Sequence, residues 1–447
     1  MSPLDTQIGQ WRSYLERRPA VTAGDLDELE GHLRDQIDAL TGAGLSADEA
    51  FLVAVKRLGA VDAISREFAV EHSDRLWRQL VLLPDEPRSQ AVVDERRAAL
   101  VVAVVLGVGA GLLLRAATLW LPEEVALRNA SLIALAFLAV YFMHARKAPP
   151  ATMAVVAAGF GGTSLLVNLF PFELGGATEF LVIAHTPILL WSLVGLAYAG
   201  WRWRDSAARM DVVRFTGEWA VYYVLIALGG MLLLGLTLAL FAAVGSSVAE
   251  ELAPWIVPIG AAGAVLVGAW LVEAKQSVVE NMLPVLTRLF TPLMVVVLLA
   301  ALAAFATHPD LIGVNRDLLV VMTLILMVVL ALLLYAVSAR DPLAPPGLYD
   351  LLLTAVVALA LVVDAALLVA MLIRIAEFGA SPNKVAALGL NIVIAVNLVW
   401  SVVLSWRFHR GRAPFTALEA WQTRYLPVYA VWAAVVIAVL PPVFGFA

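Results

Sequence analysis

The sequence predicts an all-α protein, in which a polytopic transmembrane helix bundle of about eleven spans follows a small soluble helical domain. Composition is the first reason. Of the 447 residues, 62% are hydrophobic and 15% are charged, and the mean hydropathy is +0.87. A soluble globular chain is nearer half apolar and about a quarter charged. The second reason is that apolar residues after Arg96 form runs of roughly twenty residues, the length that a membrane-spanning helix needs.

The apolar runs predict a transmembrane domain over residues 98–447, surrounded by the lipid bilayer. A soluble protein with buried helices is the alternative. It is disfavoured, because a water-soluble core does not require so many uninterrupted apolar runs of this length. The runs lie near 98–120, 127–143, 151–171, 179–200, 217–245, 254–273, 283–306, 317–338, 350–373, 383–406 and 425–446.

The pattern of residues 1–83 predicts a cytosolic helical domain, which is more charged than the apolar runs after Arg96. Ser46 and Glu49 have the spacing of a capping box at the start of one helix. A further helix is predicted from about Val61 to Leu83. Residues 84–97, rich in proline and charge, form the predicted linker. An earlier helix has a single apolar stripe at spacings of three and four, formed by Leu26, Leu29, Leu33, Ile37 and Leu40.

Composition also excludes several classes of function. Cysteine is absent, so the chain has no disulfide, no thiol nucleophile and no cysteine metal site. The formal net charge of -6 argues against nucleic acid as a partner. The N-terminus has no basic segment followed by an apolar run and small residues, so no cleaved signal peptide is predicted. No residue pattern predicts a bound metal, a cofactor or an enzymatic activity.

The distribution of Lys and Arg among the connections predicts the orientation, because basic loops face the cytoplasm. One set of alternate connections holds about twelve of these residues, and the opposite set holds about four. An odd number of spans then places the N-terminus in the cytoplasm and the C-terminus outside it. The predicted location is the bacterial inner membrane.

The stretch RIAEFGASPNK, residues 374–384, predicts a tight external turn between the ninth and tenth runs. Gly379 suits the left-handed end of one helix, and Pro382 suits the first turn of the next. The stretch resembles the signature hairpin of a bacterial family of multi-spanning membrane proteins known only as domain of unknown function number four-one-five-three. Lys384 stands where that family more often has Arg. The matching residues are Arg374, Ile375, Glu377, Phe378, Gly379, Pro382, Asn383 and Lys384.

This resemblance covers about residues 179–447 and implies a membrane fold without an established activity. Residues 4–83 resemble a different module, the cytosolic permease-prefix (HAAS-like) helical domain. That second resemblance implies a regulatory domain that binds a cytosolic protein partner. It rests on Glu30, His32, Leu33, Gly44, Leu45, Ala50, Leu58, Gly59 and Ile64.

Five polar residues are predicted to share the outer half of the bilayer: Arg115, Asn168, His185, Asp364 and Asn391. Ionisable groups in hydrocarbon are costly, so each is a functional candidate. We predict an externally open polar cavity, in which Arg115 or His185 balances the charge of Asp364. In the alternative interpretation, Arg115 reaches the outer headgroups and Asp364 makes one structural pair between helices.

Two functional classes follow from these patterns. The first is a permease-like module that binds or moves a small or lipidic solute through the polar region. The second is a membrane regulator that senses the state of the cell envelope and binds a cytosolic partner through residues 1–83. A protease is a further possibility, because Glu123, Glu124 and Arg128 form a pattern that is also found in intramembrane prenyl-type proteases. No predicted membrane helix has the Phe-x-x-x-His pattern that such enzymes use to hold a metal, and the motif lies in a predicted outer loop, so a protease is disfavoured.

Overall fold

The computed structural model describes residues 3–16, 23–42, 45–59, 90–274, 276–307 and 316–447. Within these ranges the chain forms α-helices and one short 3-10 helix, and no strand. It divides into two compact units. We call Met1–Asp94 the N-terminal unit and Glu95–Ala447 the membrane unit. The division falls inside the predicted linker. The helix predicted from about Val61 to Leu83 and the matching residue Gly44 lie outside the described residues.

The N-terminal unit contains α1 (Pro3–Glu16), α2 (Ala23–Gly42) and α3 (Ala47–Gly59). The three helices enclose a small apolar core that includes Ile8, Trp11, Leu33, Ile37 and Phe51.

Two polar contacts fix these helices. The predicted capping box at the start of α3 is confirmed, because the Ser46 N–H donates to the Glu49 carboxylate and the Glu49 N–H donates to the Ser46 hydroxyl. Arg12 of α1 donates to Glu30 of α2 at 2.6 Å. This guanidinium, assisted by Arg34, holds the pKa of Glu30 below its usual range.

The membrane unit is a bundle of long helices. Their bounds are α4 (Gln90–Trp120), α5 (Glu123–Ala145), α6 (Pro150–Leu169), α7 (Ala177–Ala199), α8 (Ser206–Ala243), α9 (Val248–Ala274), α10 (Gln276–Thr307), α11 (Arg316–Ala339), α12 (Leu348–Phe378), α13 (Pro382–His409), α14 (Thr416–Ala438) and the short α15 (Leu440–Val443). A 3-10 turn, Gly200–Arg204, joins α7 to α8.

Ten described helices, α4 to α13, contain segments long and apolar enough to cross a membrane. Large apolar side chains cover their outer surfaces, as Val105 (62% exposed) and Leu233 (68% exposed) show. In water such surfaces would be unfavourable, whereas in a bilayer they contact lipid tails. The all-α, polytopic fold class is therefore confirmed, and the chain is a multi-pass membrane protein.

The eleventh predicted span differs from the expectation of an apolar run over 425–446. The helix, α14, begins at Thr416 and includes the polar residues Glu419, Gln422 and Arg424, which make it less apolar than the other ten. It nevertheless runs antiparallel along α13. The Phe415 ring lies 5.5 Å from that of Phe408 at one end, and near the other end Trp432 leaves no room for a Cβ at Gly389.

The connections that are rich in Lys and Arg lie together at one end of the membrane unit, as their side-chain contacts show. We call this end the basic end. There Arg146 pairs with Glu273 at 2.8 Å, joining the ends of α5 and α9. The guanidinium of Arg340 lies 4.4 Å from the ring centroid of Phe415, just before α14.

At the opposite end of the membrane unit, the C-terminal segment packs on the connection between α6 and α7. The N–H of Glu173 donates to the carbonyl of Phe446 at 3.0 Å, and the N–H of Thr178 donates to the carbonyl of Ala447 at 2.9 Å. The chain after Thr416 therefore passes from the basic end to the opposite end.

Candidate functional site

A cavity of about 1140 Å³ lies at the basic end of the membrane unit. It is lined by residues of α4 to α9, all within that unit. Pockets for small molecules in proteins commonly measure about 300–1,000 Å³. We call it the basic-end cavity. Its size and its position where helices meet make it the leading candidate for a binding site.

A hydrogen-bonded ion pair forms one side of the basic-end cavity. The carboxylate of Glu273 accepts hydrogen bonds from Arg146 at 2.8 Å and from the Tyr141 hydroxyl at 3.1 Å. The same guanidinium lies 4.4 Å from the ring centroid of Tyr198. These contacts hold four side chains from α5, the following turn, α7 and α9 in place, so this wall is preformed.

Aromatic packing supports the same wall. The ring of Tyr198 stacks on that of Phe215 with centroids 4.8 Å apart, and Phe142 meets Phe215 edge-on at 5.2 Å. Phe142 and Phe215 are buried, whereas Tyr198 is partly accessible from the cavity. Buried aromatic rings in such pairs have little freedom, and the cavity therefore has one rigid aromatic side.

Other charged residues of the cavity have different surroundings. The ammonium group of Lys147 forms no hydrogen bond or ion pair with any residue that the structure describes. Lys147 lies in the turn between α5 and α6 with φ +48°, a conformation that is uncommon outside glycine. Arg214 donates to the backbone carbonyl of Ser338 at 2.6 Å. Asp211 and the buried Glu218 also line the cavity, from the same helix as Arg214.

The five residues predicted to share an intramembrane cavity have separate surroundings. Arg115 donates to Thr118 at 3.3 Å and lies 5.1 Å from the ring centroid of Trp255. Asn168 exchanges two hydrogen bonds with Asn129, at 2.8 and 2.9 Å.

The remaining three members of that set are buried. The Nδ1 atom of His185 lies 2.8 Å from the carbonyl of Leu181, and Asn391 approaches the sulfur of Met371 at 3.8 Å. Asp364 is 1% exposed, and neither of its carboxylate oxygens has a hydrogen-bond partner among the described residues.

No hydrogen bond or ion pair within the described ranges joins any two of these five residues. None of them lines the basic-end cavity. A common cavity for the five residues stays a prediction.

A buried polar network between α13 and α14 was missed by the sequence reasoning. Asn397, which is 0% exposed, lies at its centre. Its amide donates to Gln422 at 3.0 Å and to the Tyr429 hydroxyl at 2.7 Å, and its oxygen accepts from the Trp421 indole at 2.8 Å. Ser401 closes the network by accepting from Gln422 at 2.7 Å. The available signal was the polar pair Asn397 and Ser401, four residues apart on one helix face.

A buried ion pair at the opposite end was also missed. Arg128 and Glu179 are 8% and 2% exposed, and Arg128 Nε lies 3.2 Å from a Glu179 carboxylate oxygen. The guanidinium also lies 5.1 Å from the ring centroid of Phe172. Sequence reasoning placed Arg128 in an outer loop, whereas it lies inside α5. Arg128 therefore has a structural role that joins α5 to α7.

In the hairpin between α12 and α13, the first helix ends and the second begins at the predicted residues. Helix α12 ends at Phe378, Gly379 has φ +73°, and Pro382 begins α13. The ammonium of Lys384 donates to the carbonyls of Gly379 and Arg374, at 2.8 and 3.3 Å. These carbonyls lie at the end of α12, where a cation is favoured by the helix dipole. A basic residue at this position therefore closes the hairpin.

Within the described ranges, no group of three or more His, Asp or Glu side chains is placed to hold a metal ion. The basic-end cavity thus offers fixed charges, hydrogen-bonding groups and aromatic surface for binding.

No protein-family model matches the chain, and no curated protein or solved structure matches it either.

Proposed function

We propose that the chain is a permease-like, non-enzymatic protein of the bacterial inner membrane that binds a small or lipidic solute in the basic-end cavity. The observation that carries the proposal is the cavity itself, with its volume of about 1140 Å³ and its preformed wall of Arg146, Glu273 and aromatic rings. With the basic end in the cytoplasm, the cavity is reached from that side.

The proposal is tested by filling the cavity without removing its charges. Ala99 is half-buried in the cavity lining, and Val105, on the same helix, is 62% exposed on the lipid-facing surface. We expect that native mass spectrometry of the purified chain detects a bound small molecule, and that Ala99→Trp removes it. Val105→Trp is the matched control and should retain it. Absence of a bound molecule from the unmodified chain, or equal retention by both variants, would contradict the proposal.

A second candidate, a membrane regulator, is favoured by the separate apolar core of the N-terminal unit. In this alternative, the exposed surface of α2, which includes Asp35 and Asp38, binds a cytosolic protein. A photo-crosslinking amino acid at Asp38 of the full chain should then give one discrete adduct in cells. The same group at the lipid-facing Val105 should not give that adduct. An identical pattern of crosslinked adducts from both positions would contradict the role as a regulator.

A further inference from the structure

The lining of the basic-end cavity points to a more specific ligand. We propose that it binds an amine-bearing phospholipid, with the phosphodiester held by Lys147 and Arg214 and the amine facing Asp211 and Glu218. This inference rests on the proposed function and names the class of solute. It is carried by the polarity of the lining, the balance of its charges and the depth of the cavity.

The lining contains both apolar and charged side chains. Val140 of α5 and Met153 of α6 line the cavity, and they are 47% and 40% exposed. Val140 lies five residues before the end of α5, and Met153 lies three residues after the start of α6. At 1.5 Å per residue, both lie about 5–8 Å inside the helix ends. At that depth headgroups give way to acyl chains, so these apolar side chains suit a ligand with hydrocarbon chains.

The lining contains equal numbers of positively and negatively charged side chains. Three cations, Arg146, Lys147 and Arg214, and three carboxylates, Asp211, Glu218 and Glu273, line the cavity. A purely anionic ligand would be repelled by the carboxylates. A zwitterionic headgroup, with a phosphodiester and an ammonium group, has a favourable partner for each sign.

The cations of the cavity are not equally available to a ligand. The guanidinium of Arg146 already pairs with Glu273 at 2.8 Å. The ammonium group of Lys147 has no hydrogen-bond or ion-pair partner in the described part of the chain, and the guanidinium of Arg214 donates to a neutral backbone carbonyl. Charged donors of this kind form their strongest hydrogen bonds with anionic oxygens such as those of phosphate. Lys147 and Arg214 are therefore assigned to the phosphodiester.

Competition for binding by the full chain tests this assignment. The probe is phosphatidylethanolamine with a fluorophore on one acyl chain, added to purified protein in detergent. We expect unlabelled phosphatidylethanolamine to displace the probe at lower concentration than phosphatidylglycerol, which lacks the amine. Glycerophosphoethanolamine, the headgroup without acyl chains, should displace it poorly.

A variant pair connects the binding to the cavity. Lys147→Gln should weaken binding of the probe about tenfold, the effect of losing one charged hydrogen bond. Arg412→Gln is the matched control, because Arg412 is exposed at the basic end and does not line the cavity. Equal affinities of the two variants would overturn the role of Lys147.

The competitors separate failure of this inference from failure of the proposed function. Equal displacement by the two lipids would overturn the need for an amine. Displacement by glycerophosphoethanolamine as effective as by the lipid would show a water-soluble ligand, which contradicts the inference and leaves solute binding in place. No binding of the probe, together with a molecule that is retained in native mass spectrometry and lost in Ala99→Trp, would contradict only the lipid class. If the probe does not bind and native mass spectrometry detects no bound molecule, the proposed function is contradicted as well.

Discussion

At the scale of single residues, two buried polar groups of the membrane unit differ in how well they are hydrogen bonded. Asn397 has partners for both its amide and its oxygen, whereas the Asp364 carboxylate oxygens have none among the described residues. Removing one member of a satisfied network leaves the others unpaired and costs about 1–3 kcal/mol. Replacing an unpaired buried carboxyl by an apolar group of similar shape removes an unfavourable burial.

We therefore predict opposite outcomes for the same substitution at the two sites. Asn397→Leu should lower the midpoint of thermal unfolding, because Gln422, Trp421 and Tyr429 each lose a partner. Asp364→Leu should leave the midpoint unchanged or raise it. Both midpoints are measured in the same detergent by intrinsic fluorescence. A fall for Asp364→Leu as large as that for Asn397→Leu would show that the carboxyl makes a stabilising contact.

Sequence reasoning found isolated polar residues in apolar runs and missed partnerships between runs. Asp364 and Asn391 are conspicuous because apolar residues surround them in the sequence. Asn397 forms its network with Gln422 and Trp421, whose partnership depends on the register between two helices. The basic-end cavity was missed for the same reason. Glu273 forms part of the cavity wall because Tyr141 and Arg146 lie beside its carboxylate, and that placement depends on how α5 and α9 pack.

At the scale of elements, helix α4 packs on α9 through glycines that admit close approach of the two backbones. A Cβ added at Gly111 would overlap the Cα of Ile259, and one added at Gly107 would lie 3.0 Å from the Cα of Gly263. The spacing Gly107-x-x-x-Gly111 is the signal for such contacts in membrane helices, where small residues form the interface.

This contact predicts a pair of glycine substitutions with different effects. Gly111→Ala should lower thermal stability by about 1–3 kcal/mol, because the methyl group forces α4 away from α9. Gly230→Ala is the control in α8, where a Cβ meets nothing within 4 Å. Alanine there should be neutral or stabilising, because it favours the helix over glycine. Unfolding by a graded denaturing detergent compares the two, and equal stabilities would contradict close packing at Gly111.

The boundaries of most spans were predictable from apolar length alone, whereas that of α14 was not. Its first turns contain Glu419, Gln422 and Arg424, which by composition indicate a loop. Gln422 is 0% exposed and hydrogen bonded to α13, so these turns are helical inside the bundle. Tertiary burial of a polar face therefore extended the helix beyond the apolar run. A hydropathy criterion cannot detect this, because it gives a buried polar residue the same weight as a solvated one.

At the scale of the whole molecule, the path of α14 determines where the C-terminal segment lies. Ten apolar spans alone would return the chain to the side on which it began. The contacts of Phe446 and Ala447 with the connection before α7 instead lie at the end opposite Phe415. The proposed orientation, with the basic end in the cytoplasm, therefore predicts that α14 is an eleventh crossing and that the C-terminal segment lies outside the cytoplasm.

Cysteine labelling tests this arrangement directly, because the chain contains no cysteine of its own. We predict that a membrane-impermeant maleimide labels Ser381→Cys and Val443→Cys in intact bacterial cells, and labels Arg412→Cys only after permeabilisation. Ser381 lies in the hairpin before α13, Val443 ends α15, and Arg412 follows α13. Labelling of Val443→Cys together with Arg412→Cys would mean that α14 does not cross the bilayer. Labelling of Arg412→Cys alone in intact cells would reverse the orientation and place the basic-end cavity outside the cytoplasm.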